Sequence, residues 1–135
     1  MYDPEVEARE WLEDAKRDYR DAEKAIEDGN YIRACFYCHQ AAEKIIKALY
    51  HFKGGIIRGH NLVRLLRGLR RYEVEVSDLL EDAERLNPHY SATRYPNARR
   101  IAGLTVEDYG EELAKDCFRG MERIWRRVSG YLTLE

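Results

Sequence analysis

The stretch Phe36–Leu49, FYCHQAAEKIIKAL, decides the fold. With its flanks it places Ile32, Cys35, Phe36, Ala42, Ile45, Ile46, Leu49 and Phe52 on two overlapping stripes at helical spacing. A helix that is apolar around so much of its circumference belongs at the centre of a bundle, where neighbours cover more than one face. Within it Glu43 and Lys47 stand one turn apart, a pairing too well placed among apolar neighbours to be surface decoration. The helix reads from about Tyr31 to Lys53, where Gly54-Gly55 stops it.

Working outward, Leu12, Ala15, Tyr19, Ala22 and Ile26 form the single stripe of an amphipathic helix from about Pro4 to Asp28, ended by Gly29-Asn30. Downstream, Leu62, Val63, Leu65, Leu66 and Leu69 begin a third helix, and Val76, Leu79, Leu80, Ala83 and Leu86 make a short fourth, closed by Asn87-Pro88. Residues His89 to Gly103 show no sustained period and read as a loop. Thr105-Val-Glu-Asp108 has the form of an N-capping box, so a long last helix is expected from there, carrying Leu113, Cys117, Met121, Ile124 and Val128. No period-two strand is visible. The expectation is an all-α, antiparallel up-and-down bundle of about five helices, three long and two short, in a single domain over residues 1–135.

The longest run free of Asp, Glu, Lys and Arg is Ala34 to Ala42, far short of the roughly 20 apolar residues a membrane span requires. The acidic, helical first thirty residues do not resemble a secretory signal, so a cytoplasmic location is expected. Cys35, Cys38 and Cys117 read as reduced thiols packed as small hydrophobes. The net charge of -2 is segregated along the chain: -6 over residues 1–30, +8 over 31–71, -5 over 72–91 and +3 over 92–104. Arg58, Arg64, Arg67, Arg70 and Arg71, with Arg94, Arg99 and Arg100, would attract phosphates if folding gathered them. Alternatively, the acidic first and fourth helices pair with the basic middle of the chain.

Cys35-Phe-Tyr-Cys38-His39 matches the CxxCH form of covalent haem attachment, but the apolar phase of the helix already uses both cysteines, so core packing explains it. No second CxxC or paired-His spacing completes a zinc site with His51 or His60, and neither metal nor cofactor is expected. The segment YSATRYP, Tyr90 to Pro96, is the stronger candidate. His89, Tyr90, Arg94 and Tyr95 lie within seven residues, a combination in which rings stack on a base while a guanidinium grips a phosphate. The competing reading pairs Arg94 with a buried acid such as Glu43 and packs Tyr95 below it.

The QAAEK helix, the RYP segment, the opening helix with Trp11 and Leu12, and the Gly turn leading to His60 and a Leu-rich helix follow an order that resembles the HEPN family over nearly the whole chain. The resemblance implies a five-helix bundle that forms a homodimer and works beside a minimal nucleotidyltransferase. In such pairs the HEPN protein acts on RNA as a toxin or binds nucleotide, and the nucleotidyltransferase restrains it. Many relatives are metal-independent ribonucleases with an Arg followed four to six residues later by a His. Here Arg33 to His39 satisfies that count, yet it lies in the second helix, where positions six apart point about 120° away from each other. His60 resembles the family's His at the start of the third helix. The site candidates are therefore Arg94, Tyr95, Tyr90, His89, His60, Glu43 and Lys47, in a nucleotide- or RNA-binding module, with a ribonuclease or a non-catalytic structural subunit as alternatives.

Overall fold

A computed structural model describes residues 1–134. Helix α1 (Pro4–Glu27) starts on Asp3, whose carboxylate accepts from the Glu5 and Val6 amides, with Pro4 at the first helical position. It ends in a Schellman turn: Asn30 N–H bonds the Ala25 carbonyl at 2.8 Å and Gly29 N–H the Ile26 carbonyl at 3.1 Å, with Gly29 at φ 75°. Helix α2 (Tyr31–Phe52) ends the same way at Gly54, φ 82°. Both turns need a left-handed residue, which glycine supplies without a Cβ penalty.

α1 lays Ala8, Ala15, Ala22 and Ala25 against α2, and small residues there let the two backbones approach closely. α2 is central, as its two stripes require: it packs on α1 and on α7 (Glu111–Ser129), and Ile45, Ile46, Leu49 and Tyr50 are fully buried. Each such aliphatic side chain contributes about 1.5–3 kcal/mol on leaving water, so this one helix supplies a large share of the core. The other face of α7 covers α4 (Leu80–Leu86), with Gly120 of α7 against Asp82 of α4.

The three long helices lie where their periodicity places them, and the described residues contain no strand. The short segments divide more finely than expected. α3 (Leu62–Gly68) passes into a 3-10 turn at Leu69–Tyr72, and another 3-10 turn, Ser77–Leu79, precedes α4. The segment expected to be a loop holds α5 (His89–Ala92) and α6 (Pro96–Ile101). Elements of four and six residues are too short to establish a 3.6-residue period, although Pro96 at the first position of α6 is a local start signal. The capping box forms, but Thr105 and Asp108 close a single 3-10 turn, Val106–Asp108, and α7 starts later, at Glu111. Tyr109 breaks the run with ψ 74°, which turns its ring into the core at 7% exposure.

The acidic fourth segment finds its cations in α7 and not in the basic middle of the chain. Asp82 holds Arg123 through two bonds of 2.6 and 2.9 Å, and Asp78 holds Arg127 at 2.8 Å. Between α1 and α2 the ion pair is Asp18 with Lys44, 2.8 Å. No ion pair among the described residues involves Arg58, Arg64, Arg67, Arg70 or Arg71. The three cysteines are free and buried, and no helix is long and apolar enough to cross a membrane.

Candidate functional site

A polar stripe runs along α2 inside its apolar surroundings. Arg33, Phe36, Gln40, Glu43, Lys47 and His51 follow spacings of three and four, so at 100° per residue they share a sector about 80° wide. Elements from elsewhere in the chain meet this stripe, and their side chains assemble on it.

Glu43 is at its centre, 3% exposed. Its Oε2 accepts from Lys47 Nζ at 3.0 Å and its Oε1 from His60 Nδ1 at 2.8 Å, so a buried carboxylate is matched by one cation and one imidazole. Because Glu43 accepts, His60 donates from Nδ1, and its Nε2 lies 2.9 Å from the Tyr90 hydroxyl. The His60 and Tyr90 rings also stack, with centroids 3.9 Å apart and 16° between planes. Five hydrogen bonds fix the His60 turn. Asn61 caps α3 by accepting from Val63 and Arg64, Asn87 at the end of α4 accepts from Leu62 N–H and donates to Asn61, and the His60 carbonyl lies 3.0 Å from His39 Nε2.

Tyr90 belongs to α5, which Ala92 and His89 pin to the core. One residue apart on a helix means 100° around it, and so His89 and Tyr90 part company. His89 is 4% exposed and bonds the Tyr109 hydroxyl at 2.8 Å, away from the stripe. It lines instead an apolar cavity of about 280 Å³ between α4 and α7, with Leu86, Leu104, Leu113 and Cys117. The cavity is separate from the Glu43 to Arg94 cluster, sharing none of its residues.

Arg94 does not pair with Glu43, whose oxygens Lys47 and His60 already occupy. Its Nε and one terminal nitrogen donate to the Tyr90 carbonyl, and its guanidinium carbon lies 4.5 Å from the Tyr90 ring centre, 4.9 Å from Phe36 and 5.0 Å from Tyr95. Tyr95 meets the guanidinium and is still 51% exposed, so it is not buried beneath it. Cation–ring contacts of this kind are each worth roughly 0.5–2 kcal/mol, and they hold the guanidinium in place without neutralising it. No carboxylate among the described residues pairs with Arg94. The arrangement therefore offers a positive, planar donor beside one exposed aromatic ring, Tyr95, the chemistry that a phosphate with an attached base requires.

Arg33 and His39 do not converge. His39 is fully buried, and desolvation holds its imidazole below the usual histidine range, hence neutral. A neutral ring has one N–H, so Nε2–H donates to the His60 carbonyl, and the Gln40 amide is assigned with its NH2 toward Nδ1. Arg33 turns outward over Phe36 and Tyr37, 5.2 Å from each ring centre. At the other end of the stripe, Trp11 stacks on His51 and Lys47 lies over Trp11. Phe36 and Arg33 were not singled out from sequence as members of this cluster. The signal for them is their register on the Glu43 and Lys47 stripe.

The buried histidines predict an acid-sensitive fold. Burial depresses both His39 and His51, so the unfolded chain, titrating near 6.5, binds more protons than the folded one as pH falls through that value. Stability is then fully present above about pH 7 and declines below about 6.5 until the folded values are passed. Melting temperature measured from about pH 7.5 to 5 should fall more for the wild type than for His39→Gln, which keeps a donor for the His60 carbonyl. Parallel curves for the two proteins would refute the assignment.

The HEPN domain model matches residues 8–131. Among solved structures the chain is similar to TT1696 from Thermus thermophilus, with 36% identity and a TM-score of 0.84 over 93% of this chain and 98% of that one. It is also similar to ST0689, an archaeal HEPN homologue, with 32% identity and a TM-score of 0.71 over 91% and 95%. A HEPN domain protein, tm0613 from Thermotoga maritima, has the same fold at 24% identity, with a TM-score of 0.70 over 90% and 95%. No curated protein matches. A family model spanning nearly the whole bundle, and relatives aligned along almost their full length, show that this chain belongs to the HEPN domain family.

Proposed function

We propose that this protein is a nucleotide- or RNA-binding HEPN module that works as a homodimer with a minimal nucleotidyltransferase in a toxin-antitoxin-like pair. The observation that carries the binding reading is the Arg94 guanidinium, ringed by Phe36, Tyr90 and Tyr95 and unneutralised by any carboxylate among the described residues. Lys47 and Lys44 on α2 are matched with acids, whereas Arg94 bonds only a backbone carbonyl and keeps its charge open. Family membership supports the dimer and the nucleotidyltransferase partner. The Glu43–His60 pair favours a second reading, a metal-independent ribonuclease, because a carboxylate on Nδ1 orients an imidazole beside the Arg94 cluster.

Titration of labelled single-stranded RNA with wild type and Arg94→Ala, resolved so that shifted and shortened RNA are both visible, tests this. A shift that weakens about tenfold or more in the variant is expected, from loss of one charge-assisted phosphate contact. Binding should also fall steeply between about 50 and 200 mM salt. Shortened RNA that depends on Arg94 and His60 would select the ribonuclease. No shift and no shortening, with both proteins folded, would leave the structural subunit in its place.

A further inference from the structure

Arg94 is not alone over Phe36. The Arg33 guanidinium carbon lies 5.2 Å from the Phe36 ring centre and that of Arg94 4.9 Å, so the two cations are at most about 10 Å apart. They come from different elements, Arg33 from the first turns of α2 and Arg94 from the turn after α5. Arg33 also reaches the Tyr37 hydroxyl, at 3.4 Å, and Arg94 the Tyr90 carbonyl. Neither enters an ion pair among the described residues, and unlike the open arginines of residues 58–71, these two share one aromatic ring. Half-buried lysines on the same helix are treated otherwise, since Lys44 holds Asp18 at 2.8 Å. Two guanidiniums sharing one ring, with no carboxylate between them, repel each other mildly and gain most from an anion that bridges them.

We propose that Arg33 and Arg94 form a two-phosphate clamp around Phe36, so that the ligand of this site carries two linked phosphoryl groups beside a base, as in a nucleoside diphosphate or a phosphodiester step. This rests on the nucleotide-binding reading and narrows it: Arg94 takes the phosphate nearest the base, which stacks on exposed Tyr95, and Arg33 takes the next one. Arg33 is thereby a specificity-determining residue, and its effect depends on how many phosphates the ligand has.

Calorimetric titration of the full chain with AMP, ADP and the 5′-phosphorylated dinucleotide pApA tests the clamp. Wild type should bind ADP or pApA about tenfold or more tightly than AMP, and whichever of the two is tighter identifies the source of the second phosphate. Arg33→Gln, which removes the guanidinium from Phe36, should abolish that preference by weakening ADP or pApA binding more than AMP binding. Arg20→Gln, which removes the same charge from the groove beside Trp125, should leave the preference intact and so excludes a general charge effect. Equal affinity for one and two phosphates, or an Arg33→Gln effect that is the same for AMP and ADP, would overturn the clamp while the binding reading stands. No binding of the three small ligands or of the labelled RNA would overturn both.

Discussion

Replacing Glu43 with Ala should lower the free energy of unfolding by about 3–5 kcal/mol, the cost of leaving a buried charge without its partner. Lys47, 7% exposed, would lose the carboxylate 3.0 Å away, and His60 would lose the group that fixes its tautomer. Restoring balance is a different matter from restoring the pair. Glu43→Leu with Lys47→Met removes both charges at similar volume, and such replacements are often neutral or stabilising. Urea unfolding of the wild type, the single variant and the double variant decides it, read as midpoint shifts at constant slope. A single-variant loss under about 1 kcal/mol would mean that the pair behaves as a surface ion pair, contrary to its burial. The double variant has a second readout: with Glu43 gone, His60 no longer holds Tyr90 in place beside Arg94, so RNA binding should weaken even where stability recovers.

Gly68→Ala is the second large effect expected, and intrinsic propensity points the other way. Gly68 ends α3 with ordinary helical dihedrals, φ -62° and ψ -24°, where alanine is favoured by about 1 kcal/mol. A Cβ there would overlap the Tyr50 hydroxyl. Tyr50 is fully buried, donates to the Leu65 carbonyl at 2.8 Å and meets Tyr72 edge-on, so it has nowhere to move. Overpacking of about 1–3 kcal/mol, together with an unsatisfied carbonyl at about 1–3 kcal/mol, outweighs the propensity gain of about 1 kcal/mol and leaves a net loss of roughly 1–5 kcal/mol. On a Tyr50→Phe background the hydroxyl overlap is gone and a tight contact of 3.2 Å with the ring carbon remains, so Gly68→Ala should cost markedly less there than in the wild type. A double-mutant cycle measured by thermal unfolding reads the coupling directly, and additive effects would show that the hydroxyl is not what the glycine accommodates.

The α1, α2 and α7 helices are legible in the chain because each repeats an apolar spacing over about five turns or more. The central position of α2 is legible for the same reason, since only an enclosed helix can carry two apolar stripes. α5 and α6 are not, because a one- or two-turn element has no period to detect, and their formation rests on anchors such as His89 on Tyr109. The Thr105 box illustrates a related limit. Its residues specify a helical start, but the burial of Tyr109 decides that the turn ends after three residues.

At the candidate site, residue types and register were readable, whereas partnerships were not. The α2 stripe with Glu43 and Lys47, and the Tyr90, Arg94 and Tyr95 cluster, can be picked out from spacing alone. What sequence could not say is that Glu43 would take His60 rather than Arg94, that His89 would turn toward Tyr109, or that Arg33 would meet Arg94 over Phe36. The sequence by itself determined the three long helices, their apolar faces, the stops at Gly29 and Gly54 and the polar register of α2, since these depend on neighbours within one or two turns. Only the tertiary structure decided the long-range partnerships at the site, because these bring side chains together across 17 to 61 positions of chain, from Glu43 with His60 to Arg33 beside Arg94 over Phe36, and no local period encodes that distance.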